Sequence, residues 1–228
     1  MPRKTRMYVP GIPAHIVQRG NNRTATFFCD DDYQFYKIVL EEGLCRYGGE
    51  LHAYCLMSNH VHLLITPRES DSISRIMQHV GRQYVRYINQ SYKRSGTLWE
   101  GRHKSSLIDA DTYLLSTYRY IELNPVTAGM TSSPEDYRWS SYRANAWGEA
   151  DKLVTAHPLY LELAGSDDSR LRAYRELFAT ALSKTDVHTI RQTLNACYPL
   201  GNDRFKQQVE AVINRKLGAL TRGGKPAV

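Results

Sequence analysis

The sequence predicts an α+β fold: one antiparallel sheet with helices packed on one face, followed by a helical C-terminal extension. Alternating and helical-period segments follow in the order strand, helix, strand, strand, helix, strand, helix. Of the 228 residues 42% are hydrophobic, enough for a true core. Beyond residue 150 only helical patterns recur.

"AHIVQRG" (14–20) reads as the first strand, closed by a Gly-Asn-Asn turn. "DDDYQFYKIVLEEGLCRYGG" (30–49) reads as a helix. Its leading acids suit the positive end of the dipole, and Gly48-Gly49 stop it. "LHAYCLMS" (51–58) and "HVHLLIT" (60–66) are two strands joined by a tight Ser58-Asn59 link. "DSISRIMQHVGRQYVRYINQSYKRSG" (71–96) is a long amphipathic helix, with Ile73, Ile76, Met77, Val80, Tyr84 and Ile88 at helical spacing. "TLWEGRHKSSLID" (97–109) suggests a hairpin or strand pair around Gly101. "ADTYLLSTYRYIELN" (110–124) is a helix ended by Pro125. The composition shifts near 145–158. The expected organisation is therefore a catalytic-type domain over 1–147 and a helical extension over 148–228 that ends in a loose Gly/Lys/Arg tail. Helices are expected at 168–183, 185–196 and 202–217.

The net charge is +7, and its distribution is uneven. Residues 1–23 carry Arg3, Lys4, Arg6, Arg19 and Arg23 with no acid. Residues 75–104 carry Arg75, Arg82, Arg86, Lys93, Arg94, Arg102 and Lys104 against Glu100 alone. Basic stretches interleaved with Tyr84, Tyr87 and Tyr92 suit a phosphate backbone with unstacked bases beside it. Arg3, Lys4, Arg6, Arg19, Arg82, Arg86, Arg102 and Lys104 are the candidate DNA contacts, and the basic last helix (202–217) is a further one. The four cysteines form no C-x-x-C pair, which argues against a structural zinc site or a disulfide framework. No signal peptide and no apolar run of roughly 20 residues occurs, so a soluble, cytoplasmic protein is expected.

The stretch "LMSNHVHLLITP" (56–67) carries the chemistry. On a strand His60, His62, Leu64 and Thr66 share one face, and Val61, Leu63 and Ile65 the other. The second set belongs on the helix layer. The first sets two imidazoles side by side, able to share one metal ion. Two ligands are not a site, and "TYRYIELNPVTAGM" (117–130) offers more. Tyr120 and Asn124 are four apart, so a nucleophilic hydroxyl and an amide oxygen can share a helical face. Tyr118 with Glu122 offers the same spacing, which alone does not choose between them. The chemistry joining these parts is phosphoryl transfer on DNA.

"YCLMSNHVHLLITP" resembles the His-hydrophobic-His (HUH) motif and setting of single-tyrosine transposases. "YRYIELNPVTAGM" is similar to the tyrosine helix of their branch of REP-associated tyrosine transposases, and "RGNNRTATFF" and "LWEGRHKSSLI" also look like family blocks. The resemblance covers about residues 7–147. It implies a ferredoxin-like, RRM-like sheet, with His60, His62 and Asn124 as ligands of Mg²⁺ or Mn²⁺. Tyr120 would be the nucleophile, forming a 5′-phosphotyrosine link and freeing a 3′-hydroxyl. The partner would be a single-stranded DNA hairpin of the repetitive extragenic palindrome type, met on the nucleoid, by a monomer or homodimer. Relatives often carry Gln as the metal-binding amide, and Asn124 is a shorter arm. An alternative is a domesticated, non-catalytic hairpin-binding protein. An RNA-binding module lacks support, because no RNP-type aromatic strand is present.

Overall fold

The structure, a computed structural model, describes residues 6–217. The core runs β1 (Ala14–Arg19), α1 (Asp30–Tyr47), β2 (Gly49–Met57), β3 (His60–Pro67), α2 (Ser72–Ser91), β4 (Lys104–Leu107) and α3 (Ala110–Glu122). Short helices α4 (Asn124–Thr127) and α5 (Tyr142–Trp147) come next. Then come α6 (Pro158–Leu161), α7 (Asp167–Glu176), α8 (Lys184–Ala196) and α9 (Asp203–Ile213). The strands form one antiparallel sheet in the order β2-β3-β1-β4, so β3 lies between β1 and β2, and β1 between β3 and β4. That interleaving is the split βαβ arrangement.

Strand alternation decides which side each helix covers. Val61, Leu63 and Ile65 are fully buried, on the side where α1 and α2 pack. Leu44 of α1 and Ile76 of α2 meet Ile65 there, around Gly49. A Cβ on Gly49 would stand 2.7 Å from Ile76 Cδ1 and 3.2 Å from both Ile65 and Leu44, so only glycine lets the layers close. The opposite face carries the histidines. It is crossed by α3 against β2 and β3, while α8 lies along β4 and β1.

Five elements depart from the sequence reading. Two are helices of the extension that end early: the one expected over 168–183 stops at Glu176, and the one expected over 202–217 stops at Ile213, where Asn214 turns left-handed (φ 49°). The long helix stops at Ser91 rather than near 96, because Lys93 takes a left-handed conformation (φ 48°) and the Arg94 N–H turns back to the Asn89 carbonyl (3.0 Å). No hairpin forms over 97–109. Its first half adheres to the end of β1, through Asn21 N–H to Leu98 and Glu100 N–H to Arg19 (both 2.9 Å), and only β4 extends the ladder. The helix expected to run to Asn124 ends at Glu122, and Pro125 sits in the first turn of α4, where its missing N–H costs nothing.

The chain beyond residue 150 returns to the same core. Val154 bridges Leu51 and Leu200 bridges Ile108, each in parallel. Leu153, Tyr160, Tyr174, Ile190, Leu200 and Phe205 are buried within one continuous hydrophobic cluster with the sheet. Among the described residues no helix is long and apolar enough to cross a membrane.

One buried carboxylate ties α3 to α5 and α7. Glu122 is fully buried and accepts from Ser141 Oγ (2.6 Å), Asn145 Nδ2 (2.8 Å) and Tyr174 Oη (2.6 Å). Burial pushes its carboxyl up to about 7, against the hydrogen bonds from Ser141, Tyr174 and Asn145 that favour the ionised form. Glu122→Ala would leave Tyr174 and part of Asn145 unpaired. It is expected to cost about 3 kcal/mol, a fall in Tm of roughly 6–12 °C. Because the folded protein holds this proton more tightly than the unfolded chain, Glu122 stabilises fully only below an unfolded carboxyl pKa of about 4.3. That contribution fades as pH rises to about 7. The stability difference between wild type and Glu122→Gln, followed by urea unfolding from pH 4 to 8, should carry this slope; a flat difference would refute it.

Candidate active site

Pairing between β1 and β3 sets the floor of the site. Val17 stands opposite His62 and Arg19 opposite His60, so His15, Val17 and Arg19 share the face of the two histidines. On the far side of β1, Lys104 pairs with Val17 and joins the same face. Tyr120 reaches down from α3. Its ring centroid lies 5.9 Å from that of His62 and 5.7 Å from that of His15, both edge-on, and His60 and His62 are 5.0 Å apart.

The hydrogen bonds fix how each ring is presented. Asn59 donates its amide to the Arg23 carbonyl (3.0 Å), which turns its oxygen towards His60 Nδ1 (2.6 Å). An amide oxygen can only accept, so His60 carries its proton on Nδ1 and offers a lone pair at Nε2. The 20–26 segment that supplies Arg23 is held by Gly20, whose N–H donates to the Asn59 carbonyl (2.8 Å). A Cβ there would meet the Thr24 carbonyl at 2.3 Å. His62 Nδ1 shares a hydrogen bond of 2.9 Å with His15 Nε2, and the two rings stack. Such outer partners orient metal-binding imidazoles.

Burial keeps these rings neutral. It lowers His15 to about 3, and burial with the nearby Arg19 charge lowers His60 to about 4. Burial, followed by the charges of His15, His60, Arg19 and Arg191, holds His62 well below the usual histidine range. A neutral imidazole is the ligating form.

Asn124 begins α4, and its Nδ2 donates to the carbonyls of Tyr120 (2.7 Å) and Ile121 (3.3 Å). The amide thus caps the end of α3, and its oxygen is left to accept. Among the described residues no three His, Cys, Asp or Glu side chains converge to hold an ion. A third protein ligand beside His60 and His62 would therefore be an amide or hydroxyl. Two imidazoles and an amide oxygen are a donor set for a divalent ion.

Tyr118, which spacing left level with Tyr120, is fully buried, stacked on Tyr160 at 6.4 Å and edge-on to Tyr174. Glu122, its partner in that alternative, is the buried clamp described above.

The basic candidates divide by position. Arg19 and Lys104 border the histidines, and Lys104 Nζ also donates to Asn195 on α8 (2.8 Å). Arg102 is exposed just before β4. Arg6 is drawn inward, its Nε donating to the His103 carbonyl (3.0 Å). Arg82 and Arg86 are exposed on α2, across the sheet from the histidines. Arg3 and Lys4 lie outside the described residues, as does the loose tail beyond residue 217.

Two residues that the sequence reading did not single out also stand here. His15 was legible in principle, since alternation along "AHIVQR" puts it on the Arg19 face. Arg191 on α8 gave no signal: its Nε donates to Tyr120 Oη at 3.3 Å, and the residues are 71 apart in sequence.

Residues 8–124, just over half the chain, match the family described as Transposase IS200 like. The chain belongs to the IS200-like transposase family. Its chemistry is accordingly that of the transposase nucleases and strand transferases. A Haemophilus influenzae protein named for the REP-associated tyrosine transposases is 28% identical over 142 residues, covering 56% of this chain and 78% of its own. The solved structure of a REP-associated tyrosine transposase bound to a REP hairpin matches with a TM-score of 0.57 at 18% identity. That match covers 70% of this chain and 93% of the other, and it is a likeness of fold.

For this IS200-like transposase the hydrogen-bonding around His60 makes a direct prediction. In long-range ¹H–¹⁵N spectra of the metal-free protein, His60 should appear as the Nδ1–H tautomer. Asn59→Ala should move it towards the Nε2–H form that free imidazole prefers. An unchanged His60 pattern in that variant would show that Asn59 does not set the tautomer.

Proposed function

We propose that this chain is a metal-dependent, single-strand-specific DNA endonuclease and strand transferase that acts on palindromic hairpins of the REP type. The observation that carries this reading is the approach of the Tyr120 ring to His62 and His15, with His60 beside them. His60 Nε2, His62 and the Asn124 oxygen would hold Mg²⁺ or Mn²⁺. Such an ion, when bound, supplies Lewis-acid polarisation of a phosphodiester oxygen.

The chain's own residues do the rest. α3, clamped through Glu122, aims the Tyr120 hydroxyl at the histidine face. Its oxygen forms a bond to phosphorus while the bond from phosphorus to the 3′-oxygen breaks. The phenol proton passes to solvent and the departing 3′-oxygen takes one up, so the 3′-hydroxyl is free and no redox partner is needed. The strand end stays on the protein as a 5′-phosphotyrosine, and attack by a 3′-hydroxyl reverses the step without an energy source. Tyr118, enclosed by Tyr160 and Tyr174, has no path to a strand. Arg19 and Lys104 flank the site at the right sign for the phosphates on either side. The organisation into a nuclease part (1–147) and a helical extension (148–228) that grips DNA is part of the same proposal.

A labelled pool of DNA hairpins with randomised single-stranded flanks, incubated with the protein and Mn²⁺, should give a denaturation-resistant adduct. Tyr120→Phe should abolish it and Tyr118→Phe should not. Binding of hairpins that survives chelator, with no adduct in any metal, would instead establish a non-catalytic hairpin binder.

Calorimetric titration with Mn²⁺ should show one site, weakened at least about tenfold by His60→Ala, His62→Ala or Asn124→Ala. Unchanged affinity in Asn124→Ala would remove that residue from the ligand set.

A further inference from the structure

Helix α8 belongs to the extension, yet it lies on the histidine side of the sheet and delivers Arg191 to the phenol of Tyr120. Besides the 3.3 Å hydrogen bond to Tyr120 Oη, the guanidinium carbon sits 5.9 Å from the ring centroid. Its charge also reaches His62.

Two further features separate this arginine from its neighbours. Other arginines of this region are committed elsewhere: Arg119 to the Thr180 carbonyl, Arg175 to the Ala146 carbonyl and Arg170 to Asp167. Among the described residues, no carboxylate ion-pairs with Arg191. Its helix is also firmly seated. Ile190 and Leu194 are buried, Ser183 caps the first turn, and Asn195, one turn after Arg191, accepts from Lys104 of β4. A cation with no carboxylate partner is thus held at the Tyr120 hydroxyl, beside the histidine pair.

We propose that Arg191 is a catalytic residue supplied by the C-terminal extension, whose guanidinium binds the Tyr120 oxygen and the phosphate that this oxygen attacks. The inference rests on Tyr120 being the nucleophile. As the tyrosine oxygen bonds to phosphorus and the 3′-oxygen leaves, negative charge gathers on the non-bridging oxygens. The planar fork of Arg191 has N–H groups to meet both these oxygens and the tyrosine oxygen, and it gives up no proton in doing so. The extension would then complete the active site as well as grip DNA.

The test uses the full chain with Mn²⁺ and one hairpin recovered from the pool, and it follows single-turnover adduct formation beside hairpin affinity. Arg191→Gln should slow adduct formation about 100-fold while hairpin affinity stays within about threefold. Arg191→Ala should recover rate when guanidinium is added at non-denaturing concentration, which a merely structural role would not allow. A rate in Arg191→Gln equal to wild type, or faster as for a latch holding Tyr120 back, overturns the proposal. So does a loss of affinity that accounts for the whole loss of rate. If wild type forms no adduct, or Tyr120→Phe still does, the Tyr120 reading has failed. If those two behave as expected and Arg191→Gln is unaffected, only Arg191 has.

Discussion

The antiparallel register of β1 against β3, Val17 opposite His62 and Arg19 opposite His60, is the constraint on which the site depends. Side chains alternate along a strand, so a slip of one residue would send His15 and Arg19 to the α1–α2 side and bring Ile16 and Gln18 against the histidines. The slip is opposed from the other face. Ala14 and Ile16 of β1, paired with Ile65 and Leu63 on that face, are wholly buried, and the slip would turn them out and bury His15 and Arg19 in their place. The hydrophobic core therefore holds the polar face in place without touching it.

A second constraint sets the height and rotation of α3. Tyr118 and Tyr120 are two positions apart, about 200° around a helix, so they must face opposite sides. Glu122, bonded to Ser141, Asn145 and Tyr174, and Tyr118, enclosed by Tyr160 and Tyr174, pin one side of the helix into α5, α6 and α7. Tyr120 is thereby turned to the sheet. A buried carboxylate is a costly anchor, but here three donors converge on it. It also couples the tyrosine helix to the extension, so the region after residue 150 shapes the site from two directions, through Tyr174 and through α8.

Asn124 shows how a short side chain serves the same arrangement. Its amide nitrogen donates to the Tyr120 and Ile121 carbonyls at the end of α3. That bond orients the oxygen, as Asn59 orients His60. Polar side chains with one end tied to backbone lose little further freedom when the other end is used, which favours a preformed site.

Much of this was legible in the sequence, because its rules are local. Period-two alternation in "HVHLLIT" placed His60 and His62 on one face and the aliphatic residues on the core. Helical periodicity found α1, α2 and α3, and the order of elements gave the split βαβ sheet. Local rules failed where the chain had a choice of partner. The segment 97–103 was free to fold on itself or join the end of β1, and backbone groups left open there decided it. Tyr118 against Tyr120 was undecidable from spacing, since either face of an amphipathic helix can meet a sheet until the packing of α5, α6 and α7 is known. Arg191 was invisible for the same reason. Its nearness to Tyr120 is created by a helix that the chain brings back over the sheet after about 70 residues, and only the closed tertiary structure makes the two neighbours.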